Sequence, residues 1–302
     1  MIDLDSVKGV VVPLVTPITE DEKVDEKALE KLLKHVQSAG VQGVFVNSTT
    51  GEGIALENSE RNRALDVAVR NRRKGVLIFS GVSDTSTRRT IYNLKQVEEK
   101  GADVAVLHPP FYYPANNQNE LIDFYRAVAR EAEIPLMIYN IPSMTKTLVH
   151  IETVAALMEV DNIIGIKDSS VDYLFLLQLI RLKKRRPDFK IFIGKSHFWT
   201  AGILSGADGA LDGISNLIPG LCVDLYRQIQ NGEPRKAFQL QKKIDDIWEI
   251  YNCGSFLSGI KTALQFMGIG NGRVTAPIHQ IPEKEKERIY RILVDNGVLP
   301  SV

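Results

Sequence analysis

The sequence predicts an α/β protein, a (β/α)8 TIM barrel followed by a C-terminal helical extension. Short runs rich in Val and Ile recur eight times, apolar throughout, as strands buried on both faces read. Amphipathic segments with helical spacing separate them, and from about residue 220 onward the chain reads as helix alone. The repeat of about 30 residues is the size of one βα unit. A chain of 302 residues accommodates two domains of about 150 residues or one α/β barrel of about 250. No linker separates a free domain. Residues 1–230 are therefore assigned to the barrel and 231–302 to an extension packed on it, a single domain overall.

The runs are Gly9–Val15, Val41–Val46, Gly75–Gly81, Ala102–Leu107, Pro135–Tyr139, Asn162–Lys167, Lys190–Ile193 and Gly206–Leu211. Between the first two, Asp25–Ser38 sets Ala28, Leu29, Leu32, Leu33 and Val36 on one stripe. The Asp25 carboxylate can accept the free N–H groups of its first turn, and Gly40 ends it. Ser86–Lys100, Leu121–Arg130, Ile151–Met158 and Val171–Arg186 follow the same pattern. The basic run Lys183–Arg186 reads as the solvated end of a helix stopped by Pro187. Leu221–Gln230, Pro234–Tyr251, Ser255–Met267 and Glu283–Asn296 make up the helical end of the chain. An open dinucleotide-binding sheet would need a glycine-rich turn after the first strand, where Thr16-Pro17-Ile18-Thr19 stands.

Composition narrows the function. Lys and Arg number 37, as do Asp and Glu, so the formal net charge is zero and a nucleic-acid footprint is not expected. Cys222 and Cys253 cannot make a disulfide framework or a four-thiolate zinc site. No apolar stretch reaches the roughly 18 residues of a membrane span, and Met1–Asp5 does not read as a secretory signal. A cytoplasmic protein without a membrane partner is expected. His35, His108, His150, His197 and His279 lack ligand spacing, so no metal is expected, although His108 and His197 both fall at strand ends.

In a barrel the chemistry lies at the C-terminal ends of the strands. Ile164-Gly165-Ile166-Lys167 is an apolar strand ending in lysine, and period-two alternation puts Lys167 and Gly165 on one face. If that face points inward, desolvation disfavours the ammonium form and creates an amine able to attack a carbonyl. If not, Lys167 is an exposed lysine just past a strand. Tyr139 ends the preceding strand, where a phenol at equal height could pass protons, or could be a packed core tyrosine. Ser48-Thr49-Thr50-Gly51-Glu52 offers hydroxyls and backbone N–H groups suited to a carboxylate, and is equally readable as an ordinary strand-to-helix turn. A Walker-type phosphate loop and a nucleophile elbow are both missing.

Taken in order, Thr16-Pro17, Ser48–Glu52, Pro110–Pro114, Tyr139-Asn140-Ile141-Pro142, Gly165–Asp168 and Gly206–Gly209 resemble the class I pyruvate-dependent aldolases, the dihydrodipicolinate synthase and N-acetylneuraminate lyase family. The resemblance runs from about Gly9 to the C-terminal helices. It implies that Lys167 forms a Schiff base with pyruvate, that Tyr139 shuttles protons, and that Thr49 and Thr50, with Ser48 and Gly51 beside them, relay protons and hold the pyruvate carboxylate. It implies that Tyr112, or Tyr113 one register away, reaches into a neighbouring subunit, and hence a homo-oligomer, dimer or tetramer. No cofactor is implied, because the lysine–pyruvate imine is itself the electron sink.

Ser169, Gly194, Lys195, Ser196, His197, Ser215 and Met144 are implied on the substrate side. Three departures bear on the aldehyde partner. Met144 stands where the dihydrodipicolinate synthases carry an arginine for the aldehyde's carboxylate, and a thioether cannot make that contact. Ser196-His197 stands where neuraminate lyases carry an acidic pair, and Ala115 where an arginine would suit phosphorylated substrates. The tyrosine-rich loop Phe111–Pro114 resembles the sugar-acid lyase branch. The expected reaction is reversible cleavage of a 2-keto-3-deoxy sugar acid to pyruvate and an aldehyde. Dihydrodipicolinate synthase, N-acetylneuraminate lyase and a non-enzymatic keto-acid-binding barrel are the alternatives.

Overall fold

The computed structural model describes residues 2–300, within which eight parallel strands close into a barrel in sequence order. The strands are β1 (Gly9–Pro13), β2 (Gly43–Val46), β3 (Leu77–Gly81), β4 (Val104–Leu107), β5 (Leu136–Asn140), β6 (Ile163–Asp168), β7 (Lys190–Ile193) and β8 (Gly209–Ala210). Each lies within a predicted run or overshoots it by one residue, and all but β7 lose residues at their ends because loop backbone there leaves the ladder. β8 pairs with β1 through Gly9↔Gly209 and Val10↔Ala210, which closes the ring and leaves no edge.

Closure explains why every strand is apolar on both faces. Val11, Phe45, Phe79, Val106, Met137, Tyr139 and Phe192 fill the interior. Their neighbours Val10, Val12, Val44, Val46, Ile78, Ala105, Ile138 and Ile191 face the helices. Phe45 meets Tyr139 edge-on at 6.5 Å, and Phe79 meets Phe192 in the same way at 6.4 Å. Strict alternation fails once, and usefully. Leu136 pairs with Ile163 but Met137 pairs with Gly165, so Ile164 is an extra residue. The bulge turns Ile164 into the interior, although it stands three residues before Lys167. Gly165 is required there, because a Cβ would lie 2.4 Å from the Lys190 carbonyl oxygen.

The helices are α1 (Glu26–Ser38), α2 (Asn58–Arg70), α3 (Thr87–Glu99), α4 (Gln118–Glu131), the one-turn α5 (Pro142–Thr145), α6 (Ile151–Leu157), α7 (Tyr173–Leu182), α8 (Trp199–Ser205), α9 (Pro219–Gln230), α10 (Pro234–Trp248), α11 (Phe256–Phe266) and α12 (Glu283–Asp295). The Ala28 N–H donates to Asp25 at 3.0 Å, and Ala28, Leu29, Leu32, Leu33 and Val36 are buried as read from the stripe. Helix α2 has no comparable stripe in the sequence. Its buried face is Glu60, Arg61, Ala64, Leu65, Val67 and Ala68, two-thirds of it charged or small. The charges are satisfied by distant backbone: the Val24 N–H donates to Glu60, and Arg61 donates to the Gly81 carbonyl. Helix α7 stops four residues before the expected Arg186. Arg186 is a clamp rather than a solvated end, donating to the Met158, Val160 and Ile163 carbonyls at 2.9–3.1 Å and fixing the start of β6.

Helix α9 completes the barrel's outer ring, and α10, α11 and α12 follow, with α10 against α8 and α9. The extension is tied to the top of the barrel by a buried ion pair. The Glu52 carboxylate, in the turn after β2, contacts the Lys261 ammonium of α11, with the two side chains 1% and 3% exposed. Glu52 also accepts from the Thr275 N–H and hydroxyl at 2.7 and 2.8 Å. Burial lowers the Lys261 ammonium below the usual lysine range, and Glu52 pulls it back up. Breaking such a pair on one side strands a charge in the interior. Lys261→Met is expected to cost about 3–5 kcal/mol of stability, and the double variant with Glu52→Gln to recover most of it. Chemical denaturation of the three proteins checks this, and a cost for Lys261→Met under about 1 kcal/mol would contradict it.

Candidate active site

A cavity of about 250 Å³ opens at the C-terminal ends of the strands. Lys167 and Tyr139 line it together. They are direct partners in the β5–β6 register, so their side chains leave neighbouring strands at one height. Lys167 is 4% exposed, and its Nζ stands 3.9 Å from the centre of the Tyr139 ring and 5.4 Å from that of Phe45. The two aromatic faces offer a cation partial compensation without the deep electrostatic trap of a carboxylate. Of the two readings of Lys167, the inward one is the structure's.

The residues beneath this pair are neutral or otherwise engaged. His108, at the end of β4, meets the Tyr139 ring edge-on at 6.2 Å. Its Nδ1 lies 2.8 Å from the Pro109 carbonyl oxygen, which can only accept, so Nδ1 carries the proton. Burial pushes this imidazole down to about 4, and His108 is uncharged at neutral pH. Asp168, next in sequence to Lys167, points the other way. It accepts from Asn140 at 2.8 Å and from the Ser170 hydroxyl at 2.9 Å. Burial pushes its carboxyl up to about 6 against those hydrogen bonds.

The hydroxyl turn after β2 divides its donors. The Gly51 N–H donates to the Ser48 hydroxyl, the Glu52 N–H to the Thr49 carbonyl and the Gly53 N–H to the Ser48 carbonyl. The Thr49 and Thr50 N–H groups carry no such bond among the described residues, and both residues line the cavity. Ser48 and Gly51 thus build the turn rather than face the cavity. A Cβ on Gly51 would lie 2.7 Å from the Leu14 carbonyl oxygen, so this close approach requires glycine. Asn47 and Glu52 flank the turn with φ of 56° and 55°, a left-handed conformation that costs energy outside glycine. The Glu52–Lys261 pair holds one end of that conformation.

Met144, Ser169, Gly194 and Lys195 line the cavity with Thr49, Thr50, Tyr139 and Lys167. Ser196, His197 and Ser215 do not. Ser196 is buried, with its N–H donating to Asp212 at 3.2 Å. His197 turns to the extension, its Nδ1 2.7 Å from Asp245 and its ring 4.5 Å from that of Trp248. Ser215 is fully buried, and its hydroxyl donates to the Asp212 carbonyl. The two strand-end histidines therefore have separate partners, and no group of three metal-ligating side chains occurs among the described residues. Tyr112 is also outside the cavity: it is 81% exposed, with φ of 70° and its ring edge-on to Tyr113 at 5.0 Å.

The sequence reading missed the far wall. Trp248, Tyr251 and Phe256 come from the extension and line the cavity mouth in a chain of ring contacts at 5.1 and 6.1 Å. Ile141 and Ser143, at the start of α5, and Asp212, after β8, complete it. Asp212 carries a strand-end signal. The aromatic residues carry none, since nothing local says which turn of a C-terminal helix lies over a barrel. Tyr251 donates to Asp212 at 3.4 Å, and burial holds its phenol well above the usual range, with Asp212 acting in the same direction.

Among solved structures, YagE of Escherichia coli K12, described as a prophage protein of the dihydrodipicolinic acid synthase family in complex with pyruvate, is 26% identical with a TM-score of 0.93, over 97% of this chain and 99% of that one. The dihydrodipicolinate synthase of Bacteroides thetaiotaomicron is 32% identical with a TM-score of 0.91, over 96% and 98%. An uncharacterized DapA-like lyase of Halobacterium salinarum is 32% identical across 291 residues, 96% of this chain and 94% of that protein. The 4-hydroxy-tetrahydrodipicolinate synthase of Methanothermobacter thermautotrophicus is 31% identical over 88% of this chain and 94% of its own. The profile of the dihydrodipicolinate synthetase family matches residues 6–296, nearly the whole of the barrel and its extension. The chain belongs to that family of pyruvate-dependent lyases.

Proposed function

We propose that the protein is a class I aldolase that reversibly cleaves a 2-keto-3-deoxy sugar acid to pyruvate and an aldehyde. The observation that carries this is a nearly buried amine seated 3.9 Å above the ring of a register-paired tyrosine, inside a cavity at the strand ends. The Lys167 amine adds to the C2 keto carbon, and loss of water leaves an iminium. Tyr139 gives its phenol proton to the hydroxide that departs as that water, and the resulting phenolate, with Thr49 beside it, takes the proton of the C4 hydroxyl. The C3–C4 bond breaks, its electron pair passes into the iminium to give an enamine, and C4 departs as the aldehyde. The enamine takes a proton at C3, and water hydrolyses the resulting iminium to pyruvate and free Lys167. Run in reverse, the same steps add pyruvate to an aldehyde. No cofactor is required, because the iminium is the electron sink.

The substrate's carboxylate is assigned to the Thr49 and Thr50 N–H groups, whose free donors suit one monoanion. The exposed Tyr112–Tyr113 pair supports a homo-oligomer, dimer or tetramer, in which one of these rings enters the neighbouring subunit's cavity. Dihydrodipicolinate synthase is the second reading, supported by the Methanothermobacter relative. The half-exposed thioether of Met144 in the cavity lining weighs against it, since it has no charge for aspartate semialdehyde's carboxylate.

Borohydride reduction in the presence of pyruvate is expected to trap a covalent adduct on Lys167, located by peptide mass spectrometry. An unmodified Lys167, or an adduct elsewhere, overturns the mechanism. Tyr139→Phe is expected to retain the trapped adduct while lowering kcat by about a hundredfold to ten-thousandfold, the usual worth of a positioned proton donor. A loss below about tenfold would remove Tyr139 from proton transfer.

A further inference from the structure

We propose that Asp168 is a positioning residue of the aldolase reaction: its ionised carboxylate, gripping Asn140 across the rim between β5 and β6, holds Tyr139 and Lys167 at the height the chemistry needs. The inference rests on the aldolase reading above and adds to it a residue outside the cavity lining.

In the β5–β6 register the pair that follows Tyr139↔Lys167 is Asn140↔Asp168. Successive side chains alternate, so Tyr139 and Lys167 enter the cavity while Asn140 and Asp168 lie on the opposite face, both buried. Asn140 Nδ2 donates to Asp168 Oδ1 at 2.8 Å, and Asn140 Oδ1 accepts from the Val149 N–H at 3.1 Å. The second bond fixes which way the amide points, so residue 168 must present an acceptor. The backbones are tied as closely. The Ser169 N–H donates to the Asn140 carbonyl at 2.8 Å, and the Gly194 N–H to the Asp168 carbonyl at 2.7 Å. The ends of β5, β6 and β7 thus meet at one buried pair. So does the segment leaving α5, the helix that lines the cavity with Ser143 and Met144.

A neutral acceptor would satisfy Asn140 without burying a charge. The other donors to Asp168 are the Ser170 N–H at 3.3 Å and its hydroxyl at 2.9 Å, both neutral. Asp172 and Tyr173, at the start of α7, and Lys195, after β7, line one small cleft with Asp168. Burial raises the Asp168 carboxyl, the hydrogen bonds from Asn140 and Ser170 oppose the rise, and the Asp172 charge adds to it. In exchange the ionised group makes a charge-assisted hydrogen bond to Asn140, roughly twice as strong as a neutral one. Stiffness here matters because Tyr139 must meet the departing hydroxide and then the C4 hydroxyl. A misplacement of about 1 Å costs about a hundredfold in rate. Protonation of Asp168 weakens the grip while leaving Lys167 and Tyr139 chemically intact.

The test is the pH profile of deuterium exchange into the pyruvate methyl group, which needs iminium and enamine but no aldehyde. The full-length protein is assayed in deuterium oxide at saturating pyruvate. The wild-type rate is expected to fall as pH drops through about 6, where Asp168 takes a proton. Asp168→Asn is neutral at every pH. It is expected to exchange about tenfold or more slowly at about pH 8, with little change in half-saturation, and to lack the acid limb. Asp168→Glu, which keeps a carboxylate, is expected to regain both rate and limb. A merely structural role would slow Asp168→Asn equally across pH and leave the limb in place, which overturns the proposal. So does a wild-type profile flat from about pH 5 to pH 8, a result that needs no variant to fold. Borohydride trapping with pyruvate on the wild type separates the two levels: no adduct refutes the aldolase reading beneath, whereas an adduct with an unaltered limb in Asp168→Asn refutes the role of Asp168 alone.

Discussion

Closing eight short parallel strands into a ring decides most of what this molecule can do. Once β8 pairs with β1, every strand has an inner and an outer face, and the inner faces must fill a fixed volume with no help from solvent. Phe45, Phe79, Met137 and Phe192 do that filling. Polar side chains are tolerated where the packed interior ends, at the rim. Lys167 and Tyr139 stand at that limit, buried enough to exclude water and open enough to admit a small molecule. The bulge at Ile164 is part of the same bargain: it lets a large apolar residue and the lysine both point inward on one six-residue strand.

A ring of strands shapes the floor of a site but not its walls. The walls come from the turn after β2, the one-turn helix after β5, and the extension. These parts are coupled through Glu52, whose carboxylate reaches α11 and Thr275 while its backbone ends the turn that presents Thr49 and Thr50. Placing a full ion pair in the interior gives little net stability compared with apolar packing, yet it penalises any arrangement in which turn and extension separate. The extension thereby serves as the far side of the cavity, supplying Trp248, Tyr251 and Phe256.

Legibility followed the range of the interactions. The eight strands and the Asp25 cap were readable because a two-residue or 3.6-residue period repeats within a few residues of itself, whereas that period left open whether Lys167 points inward. Helix α2 escaped because its inner face is small and charged, with Glu60 and Arg61 satisfied by Val24 and Gly81 far along the chain. Ser196, His197 and Ser215 were readable as strand-end residues, but their direction was not. His197 turns toward Asp245 and the Ser215 hydroxyl toward the Asp212 carbonyl, while Ser196 meets Asp212 through its backbone N–H, and a one-residue rotation of a loop after a strand reverses which side chain meets the cavity.

The sequence by itself determined the barrel, the order of its elements and the adjacency of Lys167 and Tyr139, because each follows from local periodicity or from spacing along neighbouring strands, and its ordered motifs carried the resemblance to the family. Tertiary structure alone decided which hydroxyls and N–H groups are free, which carboxylates are occupied, and that a third wall of aromatic rings lies over the strand ends. Those outcomes depend on contacts between residues as distant as Glu52 and Thr275, and on whether a donor has already been satisfied elsewhere. Neither is a property of a segment.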